Sequence, residues 1–202
     1  MPIEIQNVPK RHALAPAKQR ILDTADRLFY DEGIRAVGVD RLISESSVTK
    51  ATFYKHYGSK DRLIVEYVLY RHLQSTEQIT QLARELDDPA DLLNELVHQQ
   101  IAFIGSTGFR GCPFINAAIE FTEAGHPVRR AVHQHREWFH GLLESLLRET
   151  GHPMPGDAAD DLMVARDGAM TGGYAGDSIA ATSALQRAID RVISHIEEPI
   201  AA

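Results

Sequence analysis

Residues 48–60 read VTKATFYKHYGSK, and their types and spacing suit a helix that touches nucleic acid. Val48, Phe53 and Tyr57 recur at helical spacing as one apolar stripe, which would anchor the segment in a core. The remaining surface carries Lys50, Thr52, Tyr54, Lys55 and His56, all with hydrogen-bonding side chains, and Ala51, which is small enough to permit close approach. Such groups on a short helix can reach base edges in a major groove roughly 12 Å wide, while basic groups neutralise phosphates. Lys50, Lys55, His56 and Lys60 fall within eleven residues. Thr49, just ahead, has the side-chain oxygen of a good N-cap.

Other reactive side chains point to less. Cys112 is the only cysteine, so neither an intrachain disulfide nor a multi-cysteine metal site can form. It stands in RGCPF, close to Arg110 and just before an expected helix start, and both features favour a thiolate. Redox or electrophile sensing through Cys112 is therefore an alternative function, and a small buried side chain is the plainer role. Of the ten histidines, His126, His133, His135 and His140 cluster. Helical metal ligands need a spacing of three or four, which His133 with Glu137 meets and His133 with His135 does not, so no metal is expected. No cofactor is expected either. There is no Gly-rich phosphate loop, GxSxG elbow, HExxH or convincing pair of catalytic carboxylates, which argues against an enzyme.

The elements that must position residues 48–60 are helical. Across the 202 residues apolar positions recur with helical period, and no stretch alternates long enough for a strand. An all-α chain is expected. Residues 1–15 read as a flexible arm. Pro16 opens a helix with Ile21, Leu22, Ala25, Leu28 and Phe29 on one face, and Gly33 ends it. A short helix follows Gly38 with Val39, Leu42 and Ile43 inward, and a turn at 45–48 leads to the Thr49-capped helix. Ser59 caps a long helix reaching about Leu86. Further helices are expected at about 90–105, 114–124, 127–150, 157–177 and 182–197.

Charge divides along the chain in the same place. The net charge is -7, yet residues 1–60 hold ten Lys/Arg against seven Asp/Glu, and the rest is strongly acidic. A basic reading head on an acidic body is the expectation. No apolar run approaches the roughly 18 residues of a membrane span, and the first residues lack the order of a signal peptide, so a cytoplasmic protein with no membrane partner is expected.

Three helices, the last two short and joined by a tight turn, make a helix-turn-helix. Here the chain resembles the TetR family of bacterial regulators, through Ile21, Leu22, Ala25, Leu28, Phe29, Gly33, Val39, Leu42, Ile43, Val48, Thr49, Lys50, Thr52, Phe53, Tyr54, His56, Tyr57, Lys60 and Leu63. The resemblance covers about residues 18–65. It implies that Thr49, Lys50, Ala51, Thr52, Tyr54, Lys55 and His56 form the DNA-facing set and that Lys60 reaches a phosphate. Two residues depart from the family pattern. Ser47 stands where the turn usually holds Gly, at a cost of roughly 1–2 kcal/mol if left-handed. Gly38 replaces the usual Ser/Thr cap.

By the same resemblance, residues 16–63 would form the DNA-binding domain, joined by the long helix to an effector-binding and dimerisation domain over 64–202. Double-stranded operator DNA, a second copy of the chain and a small-molecule effector are the implied partners. Phe103, Phe114, Asn116, Phe121, Trp138, Met170 and Tyr174 are candidate effector contacts, with Glu120, His98 and His133 as further polar fixtures. Leu162, Ala165, Ala169, Gly172, Gly173, Gly176 and the stripe Leu185, Ile189, Val192, Ile193 and Ile196 are candidates for the dimer interface. The expected function is a repressor released from a pseudo-palindromic operator by its effector; a helical interaction module without DNA binding is the other alternative.

Overall fold

The structure is a computed structural model that describes residues 3–10 and 13–197, with side chains through His195. Among the described residues all regular structure is helical: α1 (Pro16–Glu32), α2 (Val39–Glu45), α3 (Lys50–Tyr57), α4 (Lys60–Ala83), α5 (Pro89–Ile104), α6 (Pro113–Ile119), α7 (Pro127–Glu149), α8 (Pro155–Ala175) and α9 (Ser178–Glu197). Five of them open on proline, whose fixed φ suits a first turn and whose missing N–H costs nothing there. Asp88 caps α5 by accepting from the Ala90 amide at 2.8 Å, and Asp177 accepts from Ala180 at 2.9 Å at the start of α9.

Three boundaries differ from expectation. The long helix α4 stops at Ala83, and Arg84 and Glu85 continue in tighter turns, donating to the carbonyls of Gln81 and Leu82. The helix expected over 114–124 ends at Ile119, because Glu120 turns its carbonyl and carboxylate toward another loop. The last helix begins at Ser178, four residues early.

The chain forms two compact units. The N-terminal unit is Pro9–Thr76 with Pro113–His135; the bundle unit is Met1–Val8, Glu77–Cys112 and Arg136–Ala202. In the N-terminal unit Ile21, Leu22, Leu28, Phe29, Leu42, Phe53, Tyr57, Leu63 and Tyr67 are buried together, with Phe29 edge-on to Tyr67 at 5.5 Å. Burial of these large side chains stabilises the small three-helix core by roughly 1.5–3 kcal/mol apiece before entropy is counted.

In the bundle unit α8 lies along α9 and both meet α5. Gly173 is required there, since a Cβ on it would sit 2.5 Å from Ile104 Cγ2. Leu162, Ala169, Leu185, Ile189 and Val192, read as dimer-forming, are instead buried within the unit itself. Helical periodicity identifies a face that must be covered, and here the same protomer covers it. The side chain of Ile196 lies outside the described residues. Residues 3–7 were expected in a free arm but lie along α7, with Ile3 buried and the Trp138 indole N–H donating to the Gln6 carbonyl at 3.2 Å. Met1, Pro2, Arg11 and His12 of that arm lie outside the described residues.

Candidate nucleic-acid interface

The turn into α3 is built from serine hydroxyls and one left-handed residue. Ser46 is buried and its hydroxyl donates to the Leu42 carbonyl at 2.5 Å, closing α2. Ser47 has φ of +51°, the conformation a glycine would adopt without strain. Thr49 then caps α3: its Oγ1 accepts from the Thr52 amide at 3.1 Å and lies 2.9 Å from the Thr52 hydroxyl. One otherwise orphaned helix N–H is satisfied, and the two threonines hold each other.

Phe53 and Tyr57 root α3 in the core. The Tyr57 hydroxyl donates to the Lys18 carbonyl at 2.8 Å, and the Lys18 ammonium lies 5.4 Å from the Tyr57 ring centre. Burial, with Glu66 and Asp23 nearby, pushes the Tyr57 phenol far above its ordinary value, so it stays a neutral donor. The opposite side is open. Thr49, Lys50, Ala51, Tyr54 and Lys55 are exposed, and Thr52 and His56 are half-buried. Neither Lys50 nor Lys55 makes an ion pair among the described residues. By contrast, Arg41 on α2 is bound to Glu32 and Glu45, and Arg27 also holds Glu45 at 2.5 Å. Lys50 and Lys55 thus keep their charges free of carboxylates on α3, unlike Arg41 on α2.

Lys60 is placed differently from the others. Its Nζ donates to the Ile34 carbonyl at 2.6 Å and lies 5.8 Å from the Phe29 ring centre, and burial lowers its pKa. The loop it grips is also held by Glu120, whose carboxylate accepts from the Ile34 and Arg35 amides at 2.8 and 2.7 Å. Glu120, expected as a polar fixture for an effector, holds the loop between α1 and α2.

The candidate effector residues divide between the two units. In the N-terminal unit, buried Phe114 stacks on His135 at 3.5 Å and Phe121 stacks on His126 at 4.4 Å, while Asn116 is half-buried. In the bundle unit Phe103 meets Phe109 edge-on at 5.2 Å, Trp138 covers the N-terminal segment, Met170 is buried, and half-exposed Tyr174 lies under Arg110. His98 and His133 are exposed. Cys112 is only 3% exposed, with both Nη atoms of Arg166 3.8 Å from its sulfur. Among the described residues no group of three or more His, Cys, Asp or Glu could hold a metal. No described helix is long and apolar enough to cross a membrane.

One buried polar pair was invisible in the sequence: His72 on α4 and His135 on α7, both buried, with their Nδ1 atoms 3.2 Å apart. One ring must donate and the other accept. Sixty-three positions separate them, and no local pattern joins them.

Residues 21–67 match the family model described as bacterial regulatory proteins, tetR family. A TetR-family transcriptional regulator of Streptomyces coelicolor, SCO4454, is 35% identical, superposes with a TM-score of 0.85, and is matched over 91% of this chain and 97% of its own. The HTH-type transcriptional regulator LmrA of Bacillus subtilis is 28% identical over 138 residues, 67% of this chain and 73% of its own length. Reduced NemR of Escherichia coli, 18% identical with a TM-score of 0.76 over 89% of this chain and 96% of its own, shares the fold. The chain belongs to the TetR family, and it is a DNA-binding helix-turn-helix transcriptional regulator.

Proposed function

We propose that this protein is a cytoplasmic repressor that binds a pseudo-palindromic operator as a homodimer and is released by a small-molecule effector. The observation that carries the reading is the open side of α3, where Lys50 and Lys55 stand free of ion pairs beside Ala51 and Tyr54 on a helix fixed by its cap and core. Lys50, Ala51, Thr52, Tyr54, Lys55 and His56 would meet base edges and phosphates, with Thr49 holding the helix N-terminus against the backbone. Lys60 would serve first as a clamp on the Ile34 carbonyl; a phosphate contact would draw on its remaining donors.

Dimerisation is supported by a face of α8 and α9 that the unit does not cover. Val164 and Ile179 are 73% and 78% exposed, and Gly168, Thr171, Ala180, Ser183 and Ala184 are exposed with them. Small and apolar side chains on two adjacent helices suit a second copy of the same helices around a twofold axis. Effector release requires a ligand that binds the DNA-free form more tightly by a few kcal/mol.

The test is fluorescence anisotropy with labelled duplexes covering the DNA that flanks the protein's own gene. Salt-sensitive, sequence-selective binding with two chains per site is the expected result. Binding no tighter to those duplexes than to random DNA would favour a helical interaction module instead.

A further inference from the structure

In the bundle unit two arginines share one carboxylate beside an apolar cavity. Arg166, on α8, is largely covered, with its side chain 13% exposed and Nη1 2.9 Å from Asp167 Oδ1. Asp167 is shared, because its Oδ2 also takes Arg136 Nη1 at 2.6 Å. Two guanidinium groups therefore lean on one carboxylate. The other polar partner of Arg166 is the Cys112 sulfur, a weak acceptor, and its remaining support is the Phe139 ring at 5.3 Å. Burial works against the Arg166 charge, but Cys112 and Asp167 outweigh it and hold the proton more firmly than usual.

Arg166 borders a cavity between α5, α7, α8 and α9 whose walls include Leu93, Leu96, Val97, Leu143, Leu162 and Leu185. Gln100 borders it too, and its Oε1 is buried with no hydrogen-bond partner. An orphaned amide oxygen in an apolar interior costs stability unless something fills the place. The cavity measures about 10 Å³, room for about one water molecule, so a larger guest must part the leucines.

We propose that this interior is a binding site for a small apolar carboxylic acid. The carboxylate takes both Nη groups of Arg166, replacing the weak sulfur contact with a bidentate, charge-assisted pair. The hydrocarbon body lies among the leucines. Gln100, whose amide can turn to present its NH2 group, supplies the second polar contact. The inference deepens the effector reading above and rests on it only for the regulatory consequence; binding of the acid does not require it.

The experiment is calorimetric titration of the full chain, without DNA, using octanoate and benzoate against octanol, benzyl alcohol and octylamine. At least one acid should bind about tenfold or more tighter than its alcohol and amine counterparts. Arg166→Gln should abolish that preference, and Arg166→Lys should restore part of it. Gln100→Leu removes a buried orphan group, keeps the fold, and should weaken the acid severalfold even if the Arg166 variants do not fold. Acids that bind no better than alcohols, or an acid affinity unchanged in Arg166→Gln or in Gln100→Leu, would overturn the proposal. An acid that binds through Arg166 without releasing operator DNA supports the site and counts only against the release mechanism.

Discussion

Arg35 and Glu120 are joined in both directions: the Arg35 backbone N–H donates to the Glu120 carboxylate at 2.7 Å, and the Arg35 guanidinium donates to the Glu120 carbonyl through Nε at 2.9 Å and Nη2 at 2.5 Å. The same carboxylate takes the Ile34 amide, while Lys60 takes the Ile34 carbonyl. The loop leading into α2 is thus held from α6 on one side and from the start of α4 on the other. Glu120→Ala leaves two backbone donors to find water and should cost about 1–2 kcal/mol, the lower end because the site is partly exposed. Urea denaturation reads it. A midpoint equal to wild type would mean that the loop holds without α6.

The turn between α2 and α3 makes two opposite predictions. Ser47→Gly relieves a left-handed serine and should raise stability by about 0.5–1 kcal/mol after the added entropy of the unfolded chain is set against the relief. Thr49→Ala removes the α3 cap and should lower stability by about 1 kcal/mol. Thermal unfolding of the two variants should move in opposite directions. If Ser47→Gly unfolds earlier than wild type, the strain assigned to Ser47 is wrong.

His72, buried beside His135, gives the fold a pH dependence. Burial lowers the His72 pKa below its ordinary 6.5, so the native state favours the neutral ring and the unfolded chain takes up the proton first. The stability from this group is fully present above about pH 6.5 and is lost as pH falls through the lowered native value. Denaturation midpoints of wild type should fall between pH 7.5 and pH 5 more steeply than those of His72→Leu. Parallel profiles would remove His72 from the account.

The exposed face of α8 and α9 predicts assembly. Val164→Asp and Ile179→Glu place charge where a second copy is proposed to pack, and neither side chain contributes to the protomer core. Light scattering at micromolar concentration should show a dimer for wild type and a shift toward monomer for the double variant, with unchanged helix content. A dimer that survives both substitutions would locate the interface elsewhere.

What the sequence made legible was local. The stripe of Phe53 and Tyr57, the Thr49 cap and the proline-led helix starts all arise from residues within a few positions of one another, where helical period and capping chemistry act directly. The contacts that escaped join distant segments. Arg35 and Glu120 lie 85 positions apart, and Trp138 reaches Gln6 over 132. The stripe of Leu185, Ile189 and Val192 was legible as a buried face but carried no information on whether a neighbouring helix or a second protomer covers it. An aromatic supply says nothing about which rings share a cavity, and the polar groups that border one, Arg166 and Gln100, belong to no local pattern.

The central claim is that the open side of α3 reads DNA, and Lys50 tests it most directly because it is exposed and makes no ion pair whose loss would confuse the result. Operator affinity of Lys50→Ala should be measured by anisotropy at fixed salt beside its thermal stability. The account predicts weaker binding by about 1–3 kcal/mol if a base contact is lost, with the melting temperature unchanged. Wild-type affinity in that variant would contradict it.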